Sequence, residues 1–155
     1  MGGYIASSDK LCDAVRSYGS GFIFTTAIPP GLAAGVLASI KHLRQSDVER
    51  QGQQKNVALL KKLLIEEGFE ILPGDTHIVP VMMRDPGLCL AVTSHLLEHH
   101  HMYIQPINYP TVPKGTERLR ITPGPLHTEQ MIYDLVKSLK CSYEAATKDD
   151  KSQIA

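Results

Sequence analysis

Between Asp47 and Lys140 the apolar residues switch repeatedly between helical and strand spacing, and this switching restricts the chain to layered helix-and-sheet folds. Residues 47–68 carry Val57, Leu60, Leu63 and Leu64 on one helical stripe, closed by Gly68. Short strand-like runs follow at 70–72 and 77–83, then a helix over 86–100. Strands at 102–105 and 118–122 and a helix over 128–140 complete the segment. The expected class is α/β or α+β layering.

The segment before Gln45 has a different character. Residues 3–6 read as a short strand, and Ser7, Ser8 or Asp9 can cap a helix bearing Leu11, Cys12, Val15 and Tyr18. Phe22-Ile23-Phe24 reads as a buried strand with Thr25-Thr26 at its exit. Pro29-Pro30 then open a helix over 31–44, whose mostly small residues suit close packing against a neighbour, such as another subunit. The expected organisation is the end of one layered domain in residues 1–45, a smaller α/β domain in 46–140 and a loose polar tail in 141–155.

Composition removes several function classes. Sixteen basic and sixteen acidic residues balance, so there is no basic footprint for nucleic acid. No apolar run reaches the roughly 18 residues of a membrane-spanning helix. Cys12, Cys89 and Cys141 are too widely spaced for a disulfide framework or a paired metal knuckle. His99-His100-His101 sits at a helix end, where histidine complements the dipole, and no second ligand cluster accompanies it, so no metal site is expected. His77 and His127 are isolated.

Two stretches can carry chemistry. Thr25-Thr26 offer adjacent hydroxyls of the kind that hold an oxyanion such as phosphate, or that simply cap a helix. The run Asn108-Tyr109-Pro110-Thr111-Val112-Pro113-Lys114-Gly115 is a stiff, non-helical loop. It leads into Arg118-Leu119-Arg120-Ile121-Thr122, where alternation sets Arg118, Arg120 and Thr122 on the face opposite Leu119 and Ile121. A guanidinium fixed on a strand suits bidentate binding of a carboxylate. The lysines before the tail lie mostly on polar helix faces, unlike the desolvated lysine an imine needs.

Taken in order, Gly2-Gly3-Tyr4-Ile5-Ala6, Arg16-Ser17-Tyr18, Gly21-Phe22-Ile23-Phe24-Thr25-Thr26 and Pro29-Pro30 resemble the 5-aminolevulinate synthase family. So do His77-Ile78-Val79-Pro80-Val81, the run from Tyr103 through Pro113, and Arg118 through Pro123. The resemblance spans residue 2 to about 140, and the loop Asn108–Pro113 is its most specific part. It implies the C-terminal portion of an aspartate-aminotransferase-like enzyme of PLP fold type I, comprising the end of the large domain and the small α/β domain. Also implied are pyridoxal 5'-phosphate as cofactor, homodimerisation, and condensation of glycine with succinyl-CoA to 5-aminolevulinate, CoA and CO2, the first step of haem biosynthesis.

By the same resemblance, Thr25 and Thr26 reach the cofactor phosphate of the neighbouring subunit. Arg120 pairs with the glycine carboxylate, and Thr111 touches the carboxylate end of the succinyl group from a mobile lid. The family's Schiff-base lysine precedes the Gly-Gly-Tyr-Ile-Ala stretch and this chain begins after it, so no catalytic lysine is expected here and the chain alone is expected to be inactive. Lys114 stands for a usual arginine, and Gly124 for a usual threonine. The expected compartment is the mitochondrial matrix in a eukaryote and the cytoplasm in a bacterium. Two other readings are a non-catalytic dimer partner and a related synthase using another acyl-CoA, the latter disfavoured by the Asn108–Pro113 loop.

Overall fold

The computed structural model describes residues 4–152, with side chains described through Lys148. The chain divides between Asp47 and Val48 into two units.

The first unit is helical. The Ser8 side chain accepts the Leu11 N–H at the start of α1 (Asp9–Tyr18), and Asp9 and Arg16 sit at the ends that suit their charges. A single turn, α2 (Ser20–Ile23), precedes α3 (Pro30–Gln45), which starts on Pro30, where a missing N–H costs nothing. None of the three helices buries a residue. Two expected strands are therefore absent. Tyr4 to Ala6 have no regular structure (Gly3 lies outside the described residues), and Phe22-Ile23-Phe24 is a helical turn with Phe24 83% exposed. A strand is stable only beside another strand. No described residue of this unit pairs in a ladder, so the backbone closes locally, with Ile23 N–H donating to Gly19 O and Phe24 N–H to Ser20 O.

The second unit packs three helices on one face of a small sheet. Its elements are α4 (Val48–Glu66), β1 (Val79–Met82), α5 (Pro86–His100), β2 (Gln105–Ile107), β3 (Arg118–Ile121) and α6 (Glu129–Ser152). Both outer strands pair antiparallel with β3, in the order β1-β3-β2. Alternation puts Val79, Val81, Leu119 and Ile121 into the core. Against them lie Val57, Leu60 and Leu64 of α4, Cys89, Val92 and Leu96 of α5, and Ile132, Val136 and Leu139 of α6, each set at helical spacing.

Element boundaries follow local chemistry. Gly68 takes φ +82 and lets Phe69 N–H reach Leu64 O, ending α4. Asp85 accepts the Leu88 N–H at 2.7 Å and Pro86 occupies the first turn of α5. At its other end His101 adopts a left-handed conformation and Met102 N–H returns to Leu96 O. That cap consumes the residues expected to begin a strand at 102, and pairing starts at Gln105. The strand expected at 70–72 is reduced to one bridge, Ile71 with Val81, because Pro80 has no N–H with which to extend the ladder toward Leu72.

The largest difference lies at the end of the chain. Residues 141–152, expected as a loose tail, continue α6. The inward positions carry the signal in disguise: Ser142 is fully buried, Ala146 packs on the core, and Tyr143 meets Phe69 edge-on at 5.7 Å. Ser142 Oγ donates to Ser138 O at 2.8 Å and lies 3.0 Å from His95 Nδ1, so its burial leaves no polar atom stranded.

Candidate active site

Arg120 lies on the central strand of the sheet, flanked in register by Pro80 of β1 and Gln105 of β2. Its neighbours Leu119 and Ile121 are buried, which fixes Arg120 on the opposite, exposed face. It lines a cleft of about 710 Å³ with Tyr103, Gln105, Thr122, His127 and the apolar Met131 and Leu135. Among the described residues nothing pairs with its guanidinium by hydrogen bond or ion pair. Four other cations of this unit are committed. Arg118 Nε donates to Thr116 O at 2.9 Å, Arg84 pairs with Glu70, Lys55 with Glu129 and Lys140 with Glu67. Gln105 is held too, receiving the Tyr103 hydroxyl on Oε1 and donating Nε2 to Pro106 O. The cleft therefore offers one uncommitted, planar, five-donor cation on a rigid strand, which is a receptor for a carboxylate or another small oxyanion.

The turn after β3 closes one side of this cleft, and helix α4 holds it. Asn56, 6% exposed, donates Nδ2–H to Gly124 O at 2.9 Å and to His127 O at 2.7 Å. Gln53 Nε2 donates to Pro123 O at 3.3 Å, and Gly124 N–H donates to His127 Nδ1 at 3.0 Å. Sequence reasoning did not single out Asn56 or Gln53. The available signal was an amide at Asn56, beside Val57 and four residues before Leu60 on the apolar stripe, where a polar side chain must find a buried partner.

The loop from Asn108 to Thr116 is ordered by short-range bonds. Thr111 N–H donates to Asn108 O, Thr116 Oγ1 donates to Pro113 O, and Gly115 takes φ +80. The Tyr109–Pro110 bond is cis, and Lys114 Nζ stands 5.2 Å from the centre of the Tyr109 ring. Thr111 is exposed and is not among the residues lining the Arg120 cleft. In the first unit Thr25 and Thr26 are both exposed beyond α2. The Thr25 hydroxyl donates to Gly21 O or Phe22 O, whereas that of Thr26 has no hydrogen-bond partner among the described residues.

Other reactive groups are committed elsewhere. Burial and the nearby carboxylates of Glu117 and Asp85 push the Cys89 thiol up to about 11, so it is a core group and not a nucleophile. His95 and His99 lie with ring centres 4.4 Å apart, and His95 Nδ1 faces Ser142. Among the described residues, no group of three or more His, Cys, Asp or Glu is placed to hold a metal ion. Nor is any described helix long and apolar enough to cross a membrane.

The profile of the aminotransferase class I and II family matches residues 1–139, nearly the whole chain. The chain belongs to the class I and II aminotransferases. Within that family it is 54% identical over 139 residues to the 5-aminolevulinate synthase of Rhizobium meliloti, which covers 90% of this chain and 34% of the relative. It is 47% identical over 140 residues to the mitochondrial 5-aminolevulinate synthase of Schizosaccharomyces pombe, covering 90% of this chain and 25% of the relative. The chain thus spans about a third or less of the curated relatives it matches. Among solved structures, a serine palmitoyltransferase of S. paucimobilis with a bound PLP–myriocin aldimine superposes with a TM-score of 0.82 at 26% identity, over 92% of this chain and 36% of that one. The 8-amino-7-oxononanoate synthase of Francisella tularensis shares the fold, with a TM-score of 0.71 at 19% identity over 96% of this chain and 41% of that one. The fold is therefore that of the PLP fold type I aminotransferase family, as the sequence resemblance implied.

Proposed function

We propose that this chain is the C-terminal portion of a 5-aminolevulinate synthase, a homodimeric enzyme that condenses glycine with succinyl-CoA. On this reading residues 1–45 end the cofactor-binding domain and residues 46–140 form the small domain, with α6 running on past it. The observation that carries the proposal is Arg120: an uncommitted guanidinium on the central strand, at a cleft, in a chain about half identical to synthases of this name. Its fork would donate to both oxygens of the glycine carboxylate and so fix the direction in which the amino acid lies.

Thr25 and Thr26 fit a phosphate by their donor chemistry. Both are exposed, Thr26 is uncommitted, and Thr25 need only exchange a carbonyl of α2 for a phosphate oxygen. They would hold the phosphate of pyridoxal 5'-phosphate in the neighbouring subunit. When bound, the cofactor supplies an electron sink for carbanions formed at the glycine carbon. Thr111, on the loop between β2 and β3, would meet the succinyl carboxylate as that loop covers the substrates and excludes water.

No lysine of this chain is assigned to imine formation. Lys55 and Lys140 are held protonated, above the ordinary lysine value, by hydrogen bonds to Glu129 and Glu67, which is opposite to the lowered value such chemistry needs. The compartment follows the source, mitochondrial matrix in a eukaryote and cytoplasm in a bacterium. The test is product formation by the cofactor-loaded enzyme. Glycine with succinyl-CoA should yield 5-aminolevulinate, and a long-chain acyl-CoA should be turned over poorly. A clear preference for another amino acid or acyl donor overturns the reading.

A further inference from the structure

The turn that leaves β3 cannot hold itself together. Residues Pro123-Gly124-Pro125 contain two prolines, so two of three successive backbone positions have no N–H to donate. Within the turn the remaining bonds are Gly124 N–H to His127 Nδ1 and a long 3.3 Å contact from His127 N–H to Gly124 O. Its carbonyls are instead satisfied from outside. Asn56 donates to two of them, at 2.9 and 2.7 Å, and Gln53 to a third, at 3.3 Å. These contacts join residues 68 to 71 positions apart in sequence. They anchor a turn that starts two residues after Ile121, where β3 ends, and three after Arg120. Both Pro123 and His127 line the same cleft as Arg120.

We propose that Asn56, assisted by Gln53, is a positioning residue for Arg120: the amides of α4 fix the exit of β3 and thereby the direction of the guanidinium toward its carboxylate. This rests on the reading of Arg120 given above. Asn56 touches no substrate in this account, and it acts through the backbone of the turn. One buried amide with both N–H groups spent on carbonyls leaves the turn a single low-energy placement. An alanine there leaves Gly124 O with only the long His127 N–H contact and His127 O with no protein donor, and frees the end of the strand.

The test compares Asn56→Ala, Gln53→Ala and Leu64→Ala in the cofactor-loaded enzyme. Leu64 is a fully buried residue of the same helix that is not among the residues lining the Arg120 cleft, and it serves as the control for loss of stability. Asn56→Ala should raise KM for glycine about tenfold while KM for succinyl-CoA changes less than about twofold. It should add nothing further to glycine KM in an Arg120→Leu background, the signature of two residues acting through one contact. Amide exchange at Gly124 and His127 should quicken, a readout independent of turnover. Gln53→Ala, which removes a single bond and keeps the fold, should raise glycine KM by about threefold.

The inference is overturned if Asn56→Ala or Gln53→Ala lowers stability as Leu64→Ala does with glycine KM unchanged, or if both substrates' KM values rise equally. If Arg120→Leu itself leaves glycine KM unaltered, the assignment of Arg120 fails and this inference falls with it. Failure of the Asn56 and Gln53 variants beside a responsive Arg120→Leu rejects the positioning role alone.

Discussion

Removing residues 141–155 asks whether the last turns of α6 are part of the fold. Three losses can be sized from the contacts. The edge-on Tyr143–Phe69 pair at 5.7 Å contributes about 0.5–1.5 kcal/mol beyond its buried area. The Ser142 hydroxyl makes two contacts, to Ser138 O and His95 Nδ1, at about 0.5–1.5 kcal/mol each. Ala146 adds the burial of one methyl group, about 0.8 kcal/mol. The expected loss is about 4 kcal/mol, and with a urea slope of about 2 kcal/mol/M the unfolding midpoint should fall by about 2 M. Ser142→Ala alone should cost about 1 kcal/mol, since it leaves the part-buried His95 Nδ1 without its partner. The assay is equilibrium urea unfolding of the intact and shortened chains. A midpoint shift below about 0.3 M would mean that these residues behave as a solvated tail, and would refute the argument.

Cys89 should resist thiol-directed alkylation in the folded protein, because it is buried and its thiol is pushed up to about 11, whereas exposed Cys141 should react readily; mass-spectrometric mapping with and without urea checks both. The exposed Glu70–Arg84 pair makes a pH-dependent contribution whose sign is fixed. Hydrogen bonding to Arg84 holds the Glu70 carboxyl below its ordinary value, so the stabilisation is present above the ordinary carboxylate range and is lost as pH falls through the lowered one. Glu70→Gln should therefore lower the melting temperature slightly at neutral pH and match the parent in acid; thermal unfolding across pH measures the convergence.

Where local signals coincide, the fold was legible in the residues. Helix α5 was readable from Pro86 to the histidine run at its end, and β3 from its alternation. That alternation also placed Arg120 on the exposed face, where it lines the cleft. Three features depended on partners distant in sequence. Phe22-Ile23-Phe24 has strand composition, but a strand needs a neighbour that the first unit lacks among its described residues. The end of α6 looked polar because its inward positions carry Ser142 and Ala146, whose burial depends on α5 and the rest of the core. Asn56 and Gln53 were not singled out, because their carbonyl partners lie about seventy residues away. The roles of Thr25, Thr26 and Thr111 toward the cofactor and the succinyl group were legible only through the family resemblance, because each is exposed.

The most direct test of the central claim is the effect of Arg120→Leu on the two Michaelis constants in the cofactor-loaded enzyme. Loss of a charge-assisted pair costs about 1.5–3 kcal/mol, so KM for glycine should rise by at least about tenfold while KM for succinyl-CoA stays within about twofold. Equal rises for both substrates, or an unchanged glycine KM, would contradict the assignment of Arg120 as the glycine carboxylate receptor.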